Sequence, residues 1–334
     1  MRPGKTGYIF LLALFLFLLF IPAGAAGPYH FMQAADGTSI RYGHWPVEDR
    51  RGVVVLLTGR TESMEKYSET IVEFQKRGFS VWSLDWRGQG LSGRKLEDRE
   101  KGHVSHFDQF LGDLDQLFDE IILAREEIGN EFGPRSQGIP IYLAAHSMGG
   151  HLALRYVARR SELFRGAILA APMVDIEYAP IPAFVVRGLS AVTNMLGFSD
   201  SYTLGGTGFD YEAPFDGNDV THDPDRWGRN RQDVRKNPDL AVGSPTFGWL
   251  NAAIESIDVL DQDGYAEAIN LPTLIFTADE DQVVSSTAAQ NFCHRMTNCE
   301  HRPITGAYHE LYQETDAVRE QVWSQIDRFT AETR

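Results

Sequence analysis

The chain has 334 residues, 43% hydrophobic and 23% charged, with 31 glycines and 15 prolines. This is globular composition and excludes a disordered chain, a collagen-like repeat and a coiled coil. With 46 acidic against 31 basic residues the net charge is −15, and there are two cysteines; nucleic-acid binding is disfavoured, and neither a disulfide scaffold nor a four-ligand zinc site can be built.

Arg2 and Lys5 precede fourteen apolar residues, Tyr8 to Ile21, and Ala23-Gly24-Ala25 follows. That is the layout of a secretory signal, and fourteen residues are short for a bilayer span, which takes about 20. Residues 1–25 are expected to be a signal peptide or a retained N-terminal anchor. The protein is then expected to be exported, periplasmic or associated with the inner membrane. Under export, Cys293 and Cys299 are a candidate disulfide, with two free thiols as the alternative.

Beyond this segment, apolar strand-like runs alternate with helical periodicity. Ser39 to Pro46, after Asp36-Gly37, reads as one arm of an N-terminal hairpin. Val53 to Leu57 is a buried strand, Lys66 to Arg77 a helix ended by Gly78, and Phe79 to Leu84 the next strand. Ser105-His106-Phe107-Asp108 has the form of a helix N-cap. Phe110, Leu111, Leu114, Leu117, Phe118, Ile121 and Ile122 mark one face of the helix beyond it, and Gly129 stops it. Further strands are expected at Ile141–Ala145, Ala167–Ala171, Thr273–Thr277 and Arg302–Ile304. Helices are expected at Gly149–Arg159, Ser286–Met296 and Ala317–Phe329. Continuous apolar strands separated by helices predict a mostly parallel α/β sheet covered on both faces.

One connection is too long for a crossover: 99 residues separate Pro172 from Pro272. Residues 173–271 are expected to form an inserted, mainly helical lid, with residues 26–172 and 272–334 as the core. The lid should lie over the C-terminal edge of the sheet, where open α/β folds bind ligands.

Chemistry enters at Ala145-His146-Ser147-Met148-Gly149-Gly150, between a strand and a helix. A serine on such a turn exposes its hydroxyl at the sheet edge, and the helix that starts there aims N–H groups at a developing oxyanion. Small residues two before and two after Ser147 let the backbones approach, and Ala145 stands where glycine is the usual choice. A serine needs a base. An acid and then a histidine should follow later strands, and both do: Ala278-Asp279-Glu280-Asp281, and Gly306-Ala307-Tyr308-His309-Glu310. His309 is the expected base and Asp281 the expected carboxylate, with Asp279 and Glu280 as alternatives. The oxyanion donors are expected to be Met148 N–H and, from the loop Thr58-Gly59-Arg60-Thr61, Arg60 N–H, with Gly59 allowing a tight turn. His103 and His106 are assigned to loop shaping, and His146 is the variable residue of the elbow.

Further segments carry a resemblance: Leu57-Thr58-Gly59-Arg60-Thr61-Glu62-Ser63 with Lys66-Tyr67; Asp85-Trp86-Arg87-Gly88-Gln89-Gly90-Leu91-Ser92; Gly102-His103-Val104; Asn218 to Arg226; Asn237-Pro238; Gly243 to Leu250; and the His309 loop. From about residue 30 onward the chain resembles the monoglyceride-lipase and lysophospholipase branch of the α/β-hydrolase superfamily, and is most similar to bacterial inner-membrane lysophospholipases. The resemblance implies an α/β-hydrolase fold with a lid, serine ester hydrolysis with no metal and no cofactor, and Ser147, Asp281 and His309 as the triad. It implies a lipid ester substrate of the acyl-glycerol type, and with it a membrane surface as partner. It departs at Ala145 and at Thr58-Gly59, where a His-Gly pair is commoner in the lipases.

A lysophospholipid or monoacylglycerol esterase is therefore expected. A general carboxylesterase or acyl-transfer enzyme on a small soluble ester is the alternative, and a non-catalytic binding module is a third reading. The apolar stripe Phe184, Val185, Leu189, Val192, Met195, Leu196 and Phe198 is a candidate acyl channel, or else lid core. The basic residues Arg226, Arg229, Arg231, Arg235 and Lys236 either meet a lipid phosphate or form a solvated face.

Overall fold

The computed structural model describes residues 28–123, 138–178 and 180–333. Eight strands form one sheet among the described residues: β1 (Tyr29–Gln33), β2 (Ser39–Trp45), β3 (Gly52–Leu57), β4 (Phe79–Leu84), β5 (Ile141–His146), β6 (Gly166–Ala170), β7 (Thr273–Ala278) and β8 (Cys299–Ile304). Their order is β1-β2-β4-β3-β5-β6-β7-β8. β1 and β2 are antiparallel to their neighbours and the rest are parallel. The central strands are buried along their whole length, which is why they read as unbroken apolar runs.

Helices cover both faces. On one side, Ile71 and Phe74 of α1 (Ser68–Lys76) pack with Val54, Leu56 and Phe276. On the other, α2 (Asp108–Gln116) and α3 (Met148–Arg160) pack with Val53, Val55 and Leu57. Between β6 and β7 lie α4 (Ala183–Met195), α5 (Pro224–Lys236), α6 (Phe247–Leu260) and the short α7 (Tyr265–Ala268). α8 (Ser286–Arg295) precedes β8, and Val318, Val322, Trp323 and Ile326 of α9 (Asp316–Glu332) close the α1 side. A disulfide joins Cys293 of α8 to Cys299 of β8.

The differences from expectation have local causes. β8 starts three residues earlier than expected because it is a half-exposed edge strand, CEHRPI, with no apolar run to announce it. Ser105 does not cap α2 through its side chain; the cap position falls on Phe107. The expected stop at Gly129 and the segment 1–25 lie outside the described residues. The expectation of an exported, periplasmic or inner-membrane-associated protein is corrected: no helix among the described residues is long and apolar enough to cross a membrane. The longest, α9, has 17 residues and carries charges along its length, short of the roughly 20 apolar residues a span needs.

The apolar stripe is also corrected. Of α4 only Ser190 is buried, and the helix is held to α6 by Ser190 Oγ donating to Phe247 O and by the Arg187–Asp258 ion pair at 2.5 Å. Phe184 and Met195 are 76% and 79% exposed, and Val185, Leu189, Val192, Leu196 and Phe198 also face outward. They form neither lid core nor a closed channel. The basic residues are engaged instead of free: Arg226 pairs with Glu69, Asp223 and Asp316, Arg229 pairs with Glu69, and Arg231 and Arg235 donate to the carbonyls of Asp210 and Tyr211.

Two glycines test this packing. A Cβ on Gly149 would lie 2.5 Å from the carbonyl oxygens of Leu57 and Thr58, whereas one on Gly112 of α2 would meet nothing within 4 Å. Gly149→Ala is expected to lower unfolding free energy by about 3 kcal/mol. Gly112→Ala should raise it by about 0.5–1 kcal/mol. Denaturant unfolding of both variants reads the contrast.

Candidate active site

β5 ends at His146 and α3 begins at Met148, so Ser147 is the whole turn, with φ 51° and ψ −118°. Left-handed backbone is unfavourable for a serine. It is held by Ser147 N donating to Ala170 O (3.1 Å) and by Ser147 O accepting from Met173 N (3.0 Å). Gly149 and Gly150 permit close contact with the ends of β3 and with Pro172. Ala145 is buried in the sheet between Leu57 and Leu169, so its methyl is accommodated.

The structure brings three expected residues together. Ser147 Oγ lies 2.9 Å from His309 Nε2, and His309 Nδ1 lies 2.8 Å from Asp281 Oδ2. Asp281 Oδ1 accepts from Val283 and Val284 N–H at 2.9 and 3.0 Å. Burial raises the Asp281 carboxyl, but the His309 hydrogen bond and charge and these two amides outweigh it and hold it below the usual carboxylate range. Asp279 instead accepts from Gly306 and Ala307 N–H (2.9 and 3.2 Å) and so supports the His309 loop, while Glu280 is exposed.

Leu57 of β3 pairs with Ala145 of β5, which sets the loop after β3 beside the Ser147 turn. Met148 N–H is the first of α3 and has no helical acceptor. Arg60 N–H has no partner among the described residues. The Asp85–Ser92 segment supports this loop from below: Trp86 Nε1 donates to Thr58 O (2.8 Å), and Gln89 Nε2 donates to Gly59 O (2.7 Å) and Glu62 O (3.1 Å). Gly59 is required for space: a Cβ there would meet Glu62 Oε2 at 2.7 Å and His146 Nδ1 at 2.9 Å. The tight-turn role expected for it falls to Thr61, at φ 61°.

Sequence reasoning missed what lies behind the triad. The buried Glu62 carboxylate accepts from Gly59 N–H, Tyr67 O–H (2.6 Å) and His146 Nδ1 (3.1 Å), and forms an ion pair with Lys66 Nζ at 2.9 Å. Lys66 also pairs with Glu310 at 2.5 Å, and His146 Nε2 lies 3.2 Å from His309 O. Both ring nitrogens of His146 face only acceptors, so the ring donates from both and is cationic. Burial would lower the His146 pKa, but Glu62 more than reverses this and raises it above the ordinary histidine value. Burial would raise Glu62, and Lys66 with His146 pull it well below the carboxylate range instead. His146 is thus not a passive variable residue. The segment from Leu57 to Tyr67 stands out in the sequence, but nothing local announces that Glu62 will meet His146, 84 residues away, or Lys66 meet Glu310, 244 residues away. His103 joins Thr246 Oγ1 at 3.0 Å at the edge of the 173–271 segment, in keeping with loop shaping.

A mostly parallel sheet with this turn after its fifth strand is the α/β-hydrolase fold. Residues 48–316 match the serine aminopeptidase S33 family (Hydrolase_4), and the chain belongs to that family. It is 32% identical over 292 residues to lysophospholipase L2 of Escherichia coli (strain K12), covering 85% of this chain and 82% of that protein. It is 27% identical over 290 residues to monoacylglycerol lipase of Mycolicibacterium smegmatis, covering 86% and 91%. Among solved structures, a soluble variant of monoglyceride lipase from Saccharomyces cerevisiae is similar with a TM-score of 0.70 at 17% identity, over 92% of this chain and 96% of that one.

Glu62→Gln leaves His146 buried without its carboxylate and Lys66 with Glu310 alone, and is expected to cost about 3–5 kcal/mol. The sign with pH follows from both groups. Glu62, with its folded pKa depressed, stabilises above its unfolded value and loses this as pH falls through the folded one. His146, with its folded pKa raised, stabilises fully below its unfolded value of about 6.5 and loses this as pH rises through the folded one. The stability gap between wild type and Glu62→Gln should be widest at about pH 5–6 and narrow at higher pH. Denaturant titrations across pH check this, and a pH-independent gap would contradict a charged pair.

Proposed function

We propose that the protein hydrolyses carboxylic esters of single-chain acyl lipids, lysophospholipids or monoacylglycerols, with Ser147 as nucleophile. The observation that carries this reading is the unbroken Ser147–His309–Asp281 relay at 2.9 and 2.8 Å, in a chain related over most of its length to a lysophospholipase and a monoacylglycerol lipase.

Ser147 Oγ attacks the ester carbonyl while His309 Nε2 takes its proton, and Asp281 holds the imidazole tautomer and balances the charge that forms. The carbonyl oxygen becomes an oxyanion bonded by Arg60 N–H and Met148 N–H. Collapse breaks the C–O bond, and His309 returns the proton to the leaving glycerol oxygen. Water, activated by the same His309, then releases the fatty acid from the acyl-serine. Residues 173–271 act as the lid of this site. The outward apolar face of α4 is read as the surface that meets the aggregated lipid from which a single-chain substrate is drawn.

Turnover of long-chain lysophospholipid and monoacylglycerol, with short nitrophenyl esters as comparison, tests the reading. Ser147→Ala and His309→Ala should each lower kcat by on the order of 10⁴–10⁶. Asp281→Asn should lose on the order of 10³–10⁴, and Asp279→Asn, which weakens only the loop support, roughly tenfold or less. Turnover confined to short soluble esters would contradict a lipid substrate.

A further inference from the structure

The Arg60 side chain stands apart from the other arginines around the site. Among the described residues no carboxylate lies within ion-pair distance of it. Nη2 donates to Gly243 O at 2.8 Å, the buried Nε has no partner, and the guanidinium lies over the Trp249 ring at 5.0 Å. Arg226 and Arg229 are neutralised by Glu69, Asp223 and Asp316. Arg94 also lacks a carboxylate, but its guanidinium is taken up by the carbonyls of Gly88, Gly90 and Asp239. Burial lowers the Arg60 pKa to about 10, so the group still carries its charge at neutral pH. An uncompensated buried cation is costly unless an anion arrives to meet it.

Its position names the anion. Arg60 supplies the proposed oxyanion N–H, and its side chain runs from that point toward Gly243 and Trp249. The same number of covalent bonds separates Arg60 N from the guanidinium carbon as separates the ester carbonyl carbon from phosphorus in a 1-acyl-glycerophospholipid. We infer that the Arg60 guanidinium is an anion subsite, binding the phosphate of a single-chain phospholipid whose ester carbonyl sits at Ser147. The Trp249 ring lies against the guanidinium at 5.0 Å, and Nη1, which makes no hydrogen bond among the described residues, is the nitrogen left to face a phosphate oxygen. This rests on the reading of Ser147 as the nucleophile toward single-chain lipid esters, and it makes the phospholipid the preferred substrate over the neutral glyceride.

The test compares kcat/KM for a 1-acyl-glycerophospholipid and a monoacylglycerol with the same short acyl chain, both below their micelle concentrations. Any effect of substitution on the shared chemistry cancels in the ratio. Arg60→Met should lower the phospholipid-to-glyceride ratio by about tenfold or more, and Arg60→Lys should restore part of it. Octyl phosphate should bind Ser147→Ala in calorimetry and lose that binding in Ser147→Ala/Arg60→Met. Equal losses on both substrates, with octyl phosphate binding unchanged, would overturn the subsite and leave Arg60 as a tie to residues 243–249. Inhibition by inorganic phosphate as strong as by octyl phosphate would overturn the substrate assignment in favour of a free anion. Absence of Ser147-dependent turnover on both substrates would instead overturn the functional reading beneath it, while the calorimetric arm still judges the anion site.

Discussion

Leu57 and Ala145 are paired across β3 and β5, and most of the site depends on that register. It ends two adjacent parallel strands at one level, so the loop after β3 and the turn after β5 meet. The sheet order reverses here, with β4 on one side of β3 and β5 on the other, which opens a crevice at the strand ends. Gly149 lets α3 start against the carbonyls of Leu57 and Thr58, and that contact fixes where Met148 N–H points. β7 and β8 then deliver Asp281 and His309 to the same edge. A slip of one residue between β3 and β5 would turn each inward side chain outward and separate Ser147 from the loop that carries Arg60.

Register sets the level of the loops, and Glu62 sets their spacing. One carboxylate binds Gly59 of the loop after β3, His146 of the serine turn and, through Lys66 and Glu310, the His309 loop. Such a cluster is a poor source of net stability, because desolvating its charges offsets much of the attraction between them. What it supplies is fixed geometry. Oxyanion donors are effective when they are already in place as charge develops, and three loops tied to one buried anion cannot drift independently. The Gln89 and Trp86 bonds to the same loop act in the same direction.

The sheet was legible in the sequence because β3 to β7 are buried on both faces and their apolar runs are unbroken. Ser147 was legible because a strained turn demands small neighbours, and His309 because it follows a strand end. β8 was half legible: its polar edge residues give no run. The α4 stripe had helical spacing, but periodicity tells that a face exists and not which way it points; contact through Ser190 and Arg187 turned the apolar side outward. The basic residues of α5 show the same limit, since charge spacing does not reveal that Glu69, far away in the chain, will take up Arg226 and Arg229. Glu62, Lys66 and Tyr67 lie in one marked segment, but their meeting with His146 and Glu310 was invisible for that reason too.

The most direct measurement of the central claim is mass spectrometry of protein quenched during turnover of a long-chain lysophospholipid. The account predicts a fatty-acyl mass increment on the peptide bearing Ser147, and its loss in His309→Ala, because the imidazole 2.9 Å from Ser147 Oγ is the base that activates it for acylation. An acyl increment on any other residue, or turnover proceeding with Ser147 never modified, would contradict it.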